Sequence, residues 1–260
     1  MTKLELYFRR SLVLIVLGGI FFIIVKLFLL VFPAEETIVD VPQEIIAPVK
    51  KKTVALTFDD GPHPEFTLKL LEILDKNKVK ATFFVVGKQV KKYPEFLREI
   101  KKHGHEIGNH TFNHPLLTTL DRSGVINELE MNKSEIKKAA DADTLFFRPP
   151  SGRYDEKVIE ASLSRGFIAV LWSVSGSDYG ATDPEVVKQN VLQHIKNGDI
   201  ILLHSGIEAT LKALPEIITE IRRRGFEFEK VAELIKVDNE LSKKAVYIYK
   251  TSEPFIMVKK

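Results

Sequence analysis

Thr53-Val54-Ala55-Leu56-Thr57-Phe58-Asp59-Asp60-Gly61-Pro62 decides the reading of this chain. Its first six residues form a short β-rich run without helical spacing, the pattern of a buried strand. The next apolar residues, Phe66, Leu70, Leu71 and Leu74, recur at helical spacing over 65–77. The alternation continues outward from there. Strands are expected at 81–86, 105–109, 145–147, 167–172 and 200–203, and helices at 94–103, 124–140, 156–164, 184–197 and 210–224, with 231–235 completing the unit. Strand and helix alternating through short connections predict a parallel sheet covered by helices. Six or seven such units predict closure into a distorted (β/α) barrel of about seven strands.

The first strand ends on two carboxylates. About fifty residues later comes His110-Thr111-Phe112-Asn113-His114. In an α/β barrel the C-terminal strand ends form the active face, so motifs that each follow a strand converge in space. One carboxylate and two imidazoles leave a coordination position open for water, the arrangement of a catalytic rather than a structural zinc site. The second carboxylate stands where a general base belongs, and the set reads as metal-assisted hydrolysis. The chain has no cysteine, so any metal is held by histidine and carboxylate.

At 260 residues, 45% hydrophobic and 28% charged, the chain can bury a full core. A net charge of +3, with no basic run beyond Lys50-Lys51-Lys52 and Arg222-Arg223-Arg224, argues against nucleic acid as a partner. Residues 11–32 are apolar apart from Ser11 and Lys26. As a helix this run is roughly 33 Å long, enough to cross a bilayer. Lys3, Arg9 and Arg10 precede it and Glu35, Glu36 and Asp40 follow, which predicts a single-pass anchor with the later residues outside. A cleaved signal peptide with secretion is the rival reading, and a buried soluble helix the third. The expected divisions are an anchor or signal over 1–33, a linker over 34–52, a catalytic domain over 53–235 and a β extension over 236–260. The last contains two strand-like runs, 245–249 and 255–258.

Asp59, Asp60, His110, His114, Arg148-Pro149-Pro150-Ser151-Gly152 and Leu202-Leu203-His204 together carry a resemblance. The chain resembles the NodB-homology polysaccharide deacetylases, carbohydrate esterase family 4, over roughly residues 50–235. The resemblance implies that Asp59 is the general base and that Asp60, His110 and His114 hold the metal. That metal would be Zn2+, with Co2+ or another divalent ion as a substitute. Arg148 would pair with Asp59, and His204 would be the general acid. Asp178 would orient His204, and Leu202 would line the pocket for the acetyl methyl. Ser151, where the family usually has an aromatic residue, would offer its backbone N–H to the oxyanion, with Tyr154 available as a wall of the sugar pocket. Ser175 stands where an aspartate is common, and Tyr179, a substrate-binding candidate, where tryptophan is expected. His63, His103, His105 and His194 read as structural or rim residues, His63 being the nearest to the metal.

The activity implied is removal of N-acetyl groups from a cell-surface glycan, peptidoglycan first and then poly-N-acetylglucosamine or chitin oligomers. No obligate protein partner is expected. O-acetyl ester hydrolysis of the xylan type is one alternative. An inactive glycan-binding domain, suggested by the departures at Ser151, Ser175 and Tyr179, is the other.

Overall fold

A computed structural model describes residues 51–235 and two C-terminal strands, Ala245–Ile248 and Phe255–Val258. The proposed anchor and linker lie outside the described residues, apart from the linker's last two positions. Strand β1, Lys52–Gly61, is the hub of the sheet. Its first residues pair with β8, Phe226–Phe228. Its middle pairs with β7, Ile200–His204, and its end with β2, Thr82–Val85. On the far side of β2 follow β3, Glu106–Asn109, β4, Phe146–Phe147, and β5, Ile168–Ala169. Beyond β7 lies β6, Val174–Ser175. Every pairing in this sheet is parallel.

The strand order runs β5-β4-β3-β2-β1-β7-β6, so β5 and β6 are its opposite ends. Yet only four residues, 170–173, separate them in sequence. Laid flat, six inter-strand steps would set the ends about 29 Å apart. Five Cα steps reach no more than about 17 Å. The sheet must therefore curl into a barrel. Across the gap Val170 N donates to Phe147 O on one side, and Ser173 N to Ile200 O on the other. Of the run expected as one strand over 167–172 only Ile168–Ala169 pairs as β5, and β6 follows at Val174–Ser175 on the other end of the sheet. Residues 170–173 stay outside either ladder because they bridge the two.

Side chains alternate along β1. Leu56 and Phe58 join the layer under the helices, whereas Ala55 packs with Phe84, Phe146, Val170 and Ile200. The second set fills the barrel interior, as period-two alternation in a small barrel requires. Thr57 and Asp59 share the phase of Ala55, so β1 carries a carboxylate inward.

The outer layer comprises α1 Thr67–Lys76, α2 Gly87–Lys92, α3 Pro94–Lys102, α4 Arg122–Ala140, α5 Glu156–Leu163, α6 Pro184–Leu192, α7 Glu208–Arg223 and α8 Val231–Ile235. Asp121, Asp155 and Asp183 cap α4, α5 and α6 by accepting from backbone N–H groups of the first turn. The helices begin or end within a few residues of expectation, except that α6 stops at Leu192 rather than 197. Helix α2 and strand β8 were not expected. Each is too short for a periodic signal, and tertiary pairing makes it. The eight-stranded sheet replaces the expected seven strands for the same reason. At the C-terminus β9, Ala245–Ile248, and β10, Phe255–Val258, pair antiparallel as a hairpin.

Candidate active site

The C-terminal ends of β1, β3, β4 and β7 bring the motif residues together. Asp59 and His204 are register partners across β1 and β7, so two groups 145 positions apart in sequence become neighbours in one ladder. Asp59 is 3% exposed and Arg148, just past β4, is fully buried. Arg148 Nη1 donates to Asp59 Oδ1 at 2.7 Å and to Thr57 Oγ1 at 2.8 Å. Its Nε donates to Val170 O at 3.1 Å and its Nη2 to Leu171 O at 3.0 Å. Arg148 thus satisfies carbonyls in the bridge between the sheet ends while it fixes the carboxylate. Its guanidinium also lies 4.1 Å over the Phe84 ring.

Asp60, His110 and His114 each aim a donor atom at one point, with all three atoms within 4.8 Å of one another. His114 Nε2 is 3.3 Å from Asp60 Oδ1, and His110 Nε2 is 3.5 Å from it. Ligands at about 2.0–2.1 Å from a tetrahedral ion stand about 3.3–3.4 Å apart, so the spacing fits such an ion. The chemistry of the donors fits as well. His110 Nδ1 lies 2.8 Å from Arg148 O, which fixes the tautomer and leaves Nε2 as an acceptor toward the site. Burial, the largest influence, pushes His110 down to about 3 and keeps it neutral, the form that ligates.

Backbone conformation concentrates here too. Asp60, Thr111, His114, Ser151 and Ser177 all have positive φ. Left-handed backbone in non-glycine residues is costly and persists where the surroundings dictate it, a pattern concentrated at functional sites.

Burial, the largest influence on Asp59, lifts its carboxyl above the ordinary range. The Arg148 charge and hydrogen bond, with the charges of His204 and His114, pull it back in part. The Arg148 charge favours the ionised carboxylate, and the buried pocket opposes it. On the other side, His204 Nδ1 lies 2.8 Å from Asp178 Oδ1, and His204 N donates to Asp178 Oδ2 at 2.7 Å. Thr210 Oγ1 donates to the same Oδ2. Burial works against charge on His204, but the Asp178 hydrogen bond and charge outweigh it and hold the imidazole above its ordinary value.

Tyr179 is 77% exposed and sets its ring edge-on to His204 at 5.5 Å, at the rim. Leu202 is buried on β7, two residues before His204. Ser151 sits in the turn Pro150–Gly152 after Arg148. Ser175 Oγ accepts from Ser177 N at 3.0 Å, so this hydroxyl braces the turn that carries Asp178. His63 accepts from Glu65 N and packs edge-on against Phe66 at 4.8 Å, a turn role. His105 Nδ1 accepts from Ala81 N, and His103 pairs with Asp75.

The sequence reading missed the residues behind the histidine loop. Glu128 and Asn132 of α4 and Asn109 of β3 are buried and bonded to that loop or to one another. A signal existed: Glu128 and Asn132 interrupt the buried stripe Val125, Leu129 and Ile136 of α4.

Comparison with known proteins agrees with this geometry. The family described as polysaccharide deacetylase matches residues 47–170. A peptidoglycan-N-acetylglucosamine deacetylase of Bacillus cereus is 35% identical over 194 residues, 73% of this chain and 91% of that protein. A peptidoglycan-N-acetylmuramic acid deacetylase of Bacillus subtilis is 34% identical over 72% of this chain and 72% of its own length. Among solved structures, a family 4 carbohydrate esterase pseudoenzyme from Bacillus anthracis superposes with a TM-score of 0.69. It is 32% identical and the match covers 72% of this chain and 66% of that one. The chain belongs to the polysaccharide deacetylases, carbohydrate esterase family 4.

Proposed function

We propose that this protein is a metal-dependent N-deacetylase of a bacterial cell-surface glycan, with peptidoglycan the first candidate substrate. One observation carries the reading. Two groups prepared for opposite proton transfers, Asp59 and His204, are ladder neighbours beside a two-histidine, one-aspartate metal set. The two deacetylases compared above act on N-acetylated sugars of peptidoglycan by their names, which supports the substrate class.

A divalent ion held by Asp60, His110 and His114, zinc being the natural fit, supplies Lewis-acid polarisation and eases ionisation of water. Asp59, outside the ligand set, takes the proton from the attacking water. Arg148 fixes Asp59 Oδ1 and leaves Oδ2 toward the site, where it lies 3.6 Å from His110 Nε2. The backbone N–H at Ser151 is the candidate donor to the oxyanion. His204, held protonated by Asp178, gives its proton to the leaving nitrogen. The C–N bond breaks, and acetate and an amino sugar leave. Leu202 lines the floor for the acetyl methyl and Tyr179 the rim for the sugar.

The apolar run 11–32 with its basic flank supports a catalytic domain tethered outside the cell membrane. Secretion after cleavage is the alternative, and both deliver the enzyme to the wall.

Acetate release from peptidoglycan and from N-acetylglucosamine oligomers, by the zinc-loaded protein beside Asp59→Asn, tests the proposal. Release that the substitution abolishes supports it. Absence of release from a zinc-binding protein sinks it in favour of a glycan-binding role. Release only from O-acetyl substrates moves it to ester hydrolysis.

A further inference from the structure

Between His110 and His114 the chain makes a tight loop in which Thr111 and His114 both adopt left-handed backbone, with φ of 65° and 62°. Neither residue favours that conformation, so something outside the loop must impose it. The restraint comes from α4. Glu128, 9% exposed, turns its carboxylate into the loop. Its Oε2 accepts from Phe112 N at 3.0 Å and from Asn113 N at 2.7 Å, while Oε1 accepts from Asn113 Nδ2 at 2.5 Å. One side chain thus satisfies three donors of Phe112 and Asn113, two of the three residues between the histidines.

One helical turn on, Asn132 Nδ2 donates to Val85 O at 2.7 Å and to Asn109 Oδ1 at 2.9 Å. Asn109 Oδ1 in turn accepts from Thr111 N, also at 2.9 Å. Thr111 Oγ1 then accepts from His114 N at 3.1 Å. A continuous chain of hydrogen bonds therefore runs from α4 to the backbone of the second histidine. The loop's other face is closed by α2, where Gly87 N donates to Thr111 O and Lys88 N to Phe112 O.

We propose that Glu128 is a positioning residue for the metal site: by clamping Phe112 and Asn113 it sets the approach of His110 and His114 and so the affinity of the site for a divalent ion. Asn132 extends the clamp through Asn109. Glu128 touches neither the ion nor the glycan in this scheme. A purely structural role would place it among residues that merely hold α4 to the sheet. Its bonds run instead to the three-residue connection that spaces the two ligands. Groups that orient metal ligands from behind typically carry a 10–100-fold share of metal affinity.

The inference rests on the metal site proposed above, and the test separates the two. The full-length protein is stripped with a chelator and titrated with Zn2+ by calorimetry. It is then titrated with Co2+, whose visible absorption reports ligand geometry. Glu128→Ala is expected to weaken Zn2+ binding by roughly tenfold to a hundredfold and to alter the Co2+ band. Glu128→Gln keeps an acceptor for the two backbone donors, so it is expected to bind within a few-fold of the parent protein. Val125→Ala, a buried truncation on the same helix, controls for destabilisation. It should lower the melting temperature and leave the Zn2+ affinity unchanged.

If Glu128→Ala does not fold, Asn113→Ala removes one arm of the clamp and is expected to weaken binding several-fold. Unaltered Zn2+ affinity in the foldable Glu128 or Asn113 truncation, or equal weakening in Val125→Ala, overturns the positioning role while leaving the metal site standing. A parent protein that binds neither ion overturns the metal site and this inference with it.

Discussion

Removing Arg148 exposes the central tension of the site. In Arg148→Met the buried Asp59 carboxylate loses the guanidinium at 2.7 Å, and the Val170 and Leu171 carbonyls lose their donors. Methionine replaces much of the volume, so the loss is chiefly electrostatic. Breaking a buried pair by deleting one partner costs about 3–5 kcal/mol, because the survivor is a buried uncompensated charge. For a domain of this size each kcal/mol moves the melting temperature by about 2–4 °C, so a drop of roughly 6–20 °C is expected.

The pH dependence has a definite sign. Burial already raises Asp59 above its unfolded value, so the folded state holds its proton more tightly. Its ionisation therefore destabilises the fold progressively as pH rises from the ordinary carboxylate range through the folded pKa. Loss of Arg148 raises that pKa further, so the deficit of the variant is full above it and shrinks toward acid pH, where Asp59 is protonated in both proteins. Adding Asp59→Leu removes the stranded charge and should recover about 1–3 kcal/mol of the single-variant loss. The assay is urea unfolding of chelator-treated protein at several pH values. A loss below about 1 kcal/mol, a deficit that does not vary with pH, or strict additivity in the double variant would refute this account of Arg148.

Further outcomes follow from the same geometry. Asp59→Asn should lower turnover by about 10²–10⁴-fold while Zn2+ binding by calorimetry persists, because the proposed base lies outside the proposed ligand set. The proposed acid, His204, acts from its protonated form, so activity should fall as pH rises through its elevated pKa. Asp178→Asn removes the largest of the interactions that raise it, the Asp178 charge and its hydrogen bond, and should move that alkaline limb to lower pH in a kcat profile. Gly87→Ala would place a Cβ 2.4 Å from Phe112 Cδ2 and 2.9 Å from its backbone Cα. It should cost about 1–3 kcal/mol in urea unfolding, like other overpacked sites, and displace the histidine loop enough to weaken Zn2+ binding.

Much of the architecture was legible from residue pattern. Each long helix has an apolar stripe, and most of the buried strands are short β-rich runs. Those local signals survive because burial enforces them residue by residue. The failures share a cause. Helix α2, strand β8, the shortening of 167–172 to β5 and the appearance of β6 after it involve segments of two to six residues. Their structure comes from neighbours distant in sequence, and no local period announces it. Polar residues inside an amphipathic stripe, such as Glu128 and Asn132, read as noise until their partners are known.

The sequence by itself determined the donor inventory: carboxylates at 59 and 60, imidazoles at 110, 114 and 204, a guanidinium at 148, and no thiol. It also determined that each follows a strand, since those motifs abut the apolar runs directly. Tertiary structure alone decided which groups touch. The β1–β7 register made Asp59 and His204 neighbours, curling of the sheet brought Arg148 to the carbonyls of 170 and 171, and α4 gave the histidine loop its shape. Residue identity fixes what chemistry is available. Proton transfer and metal binding depend on distances of a few tenths of an ångström, which only the packed fold sets.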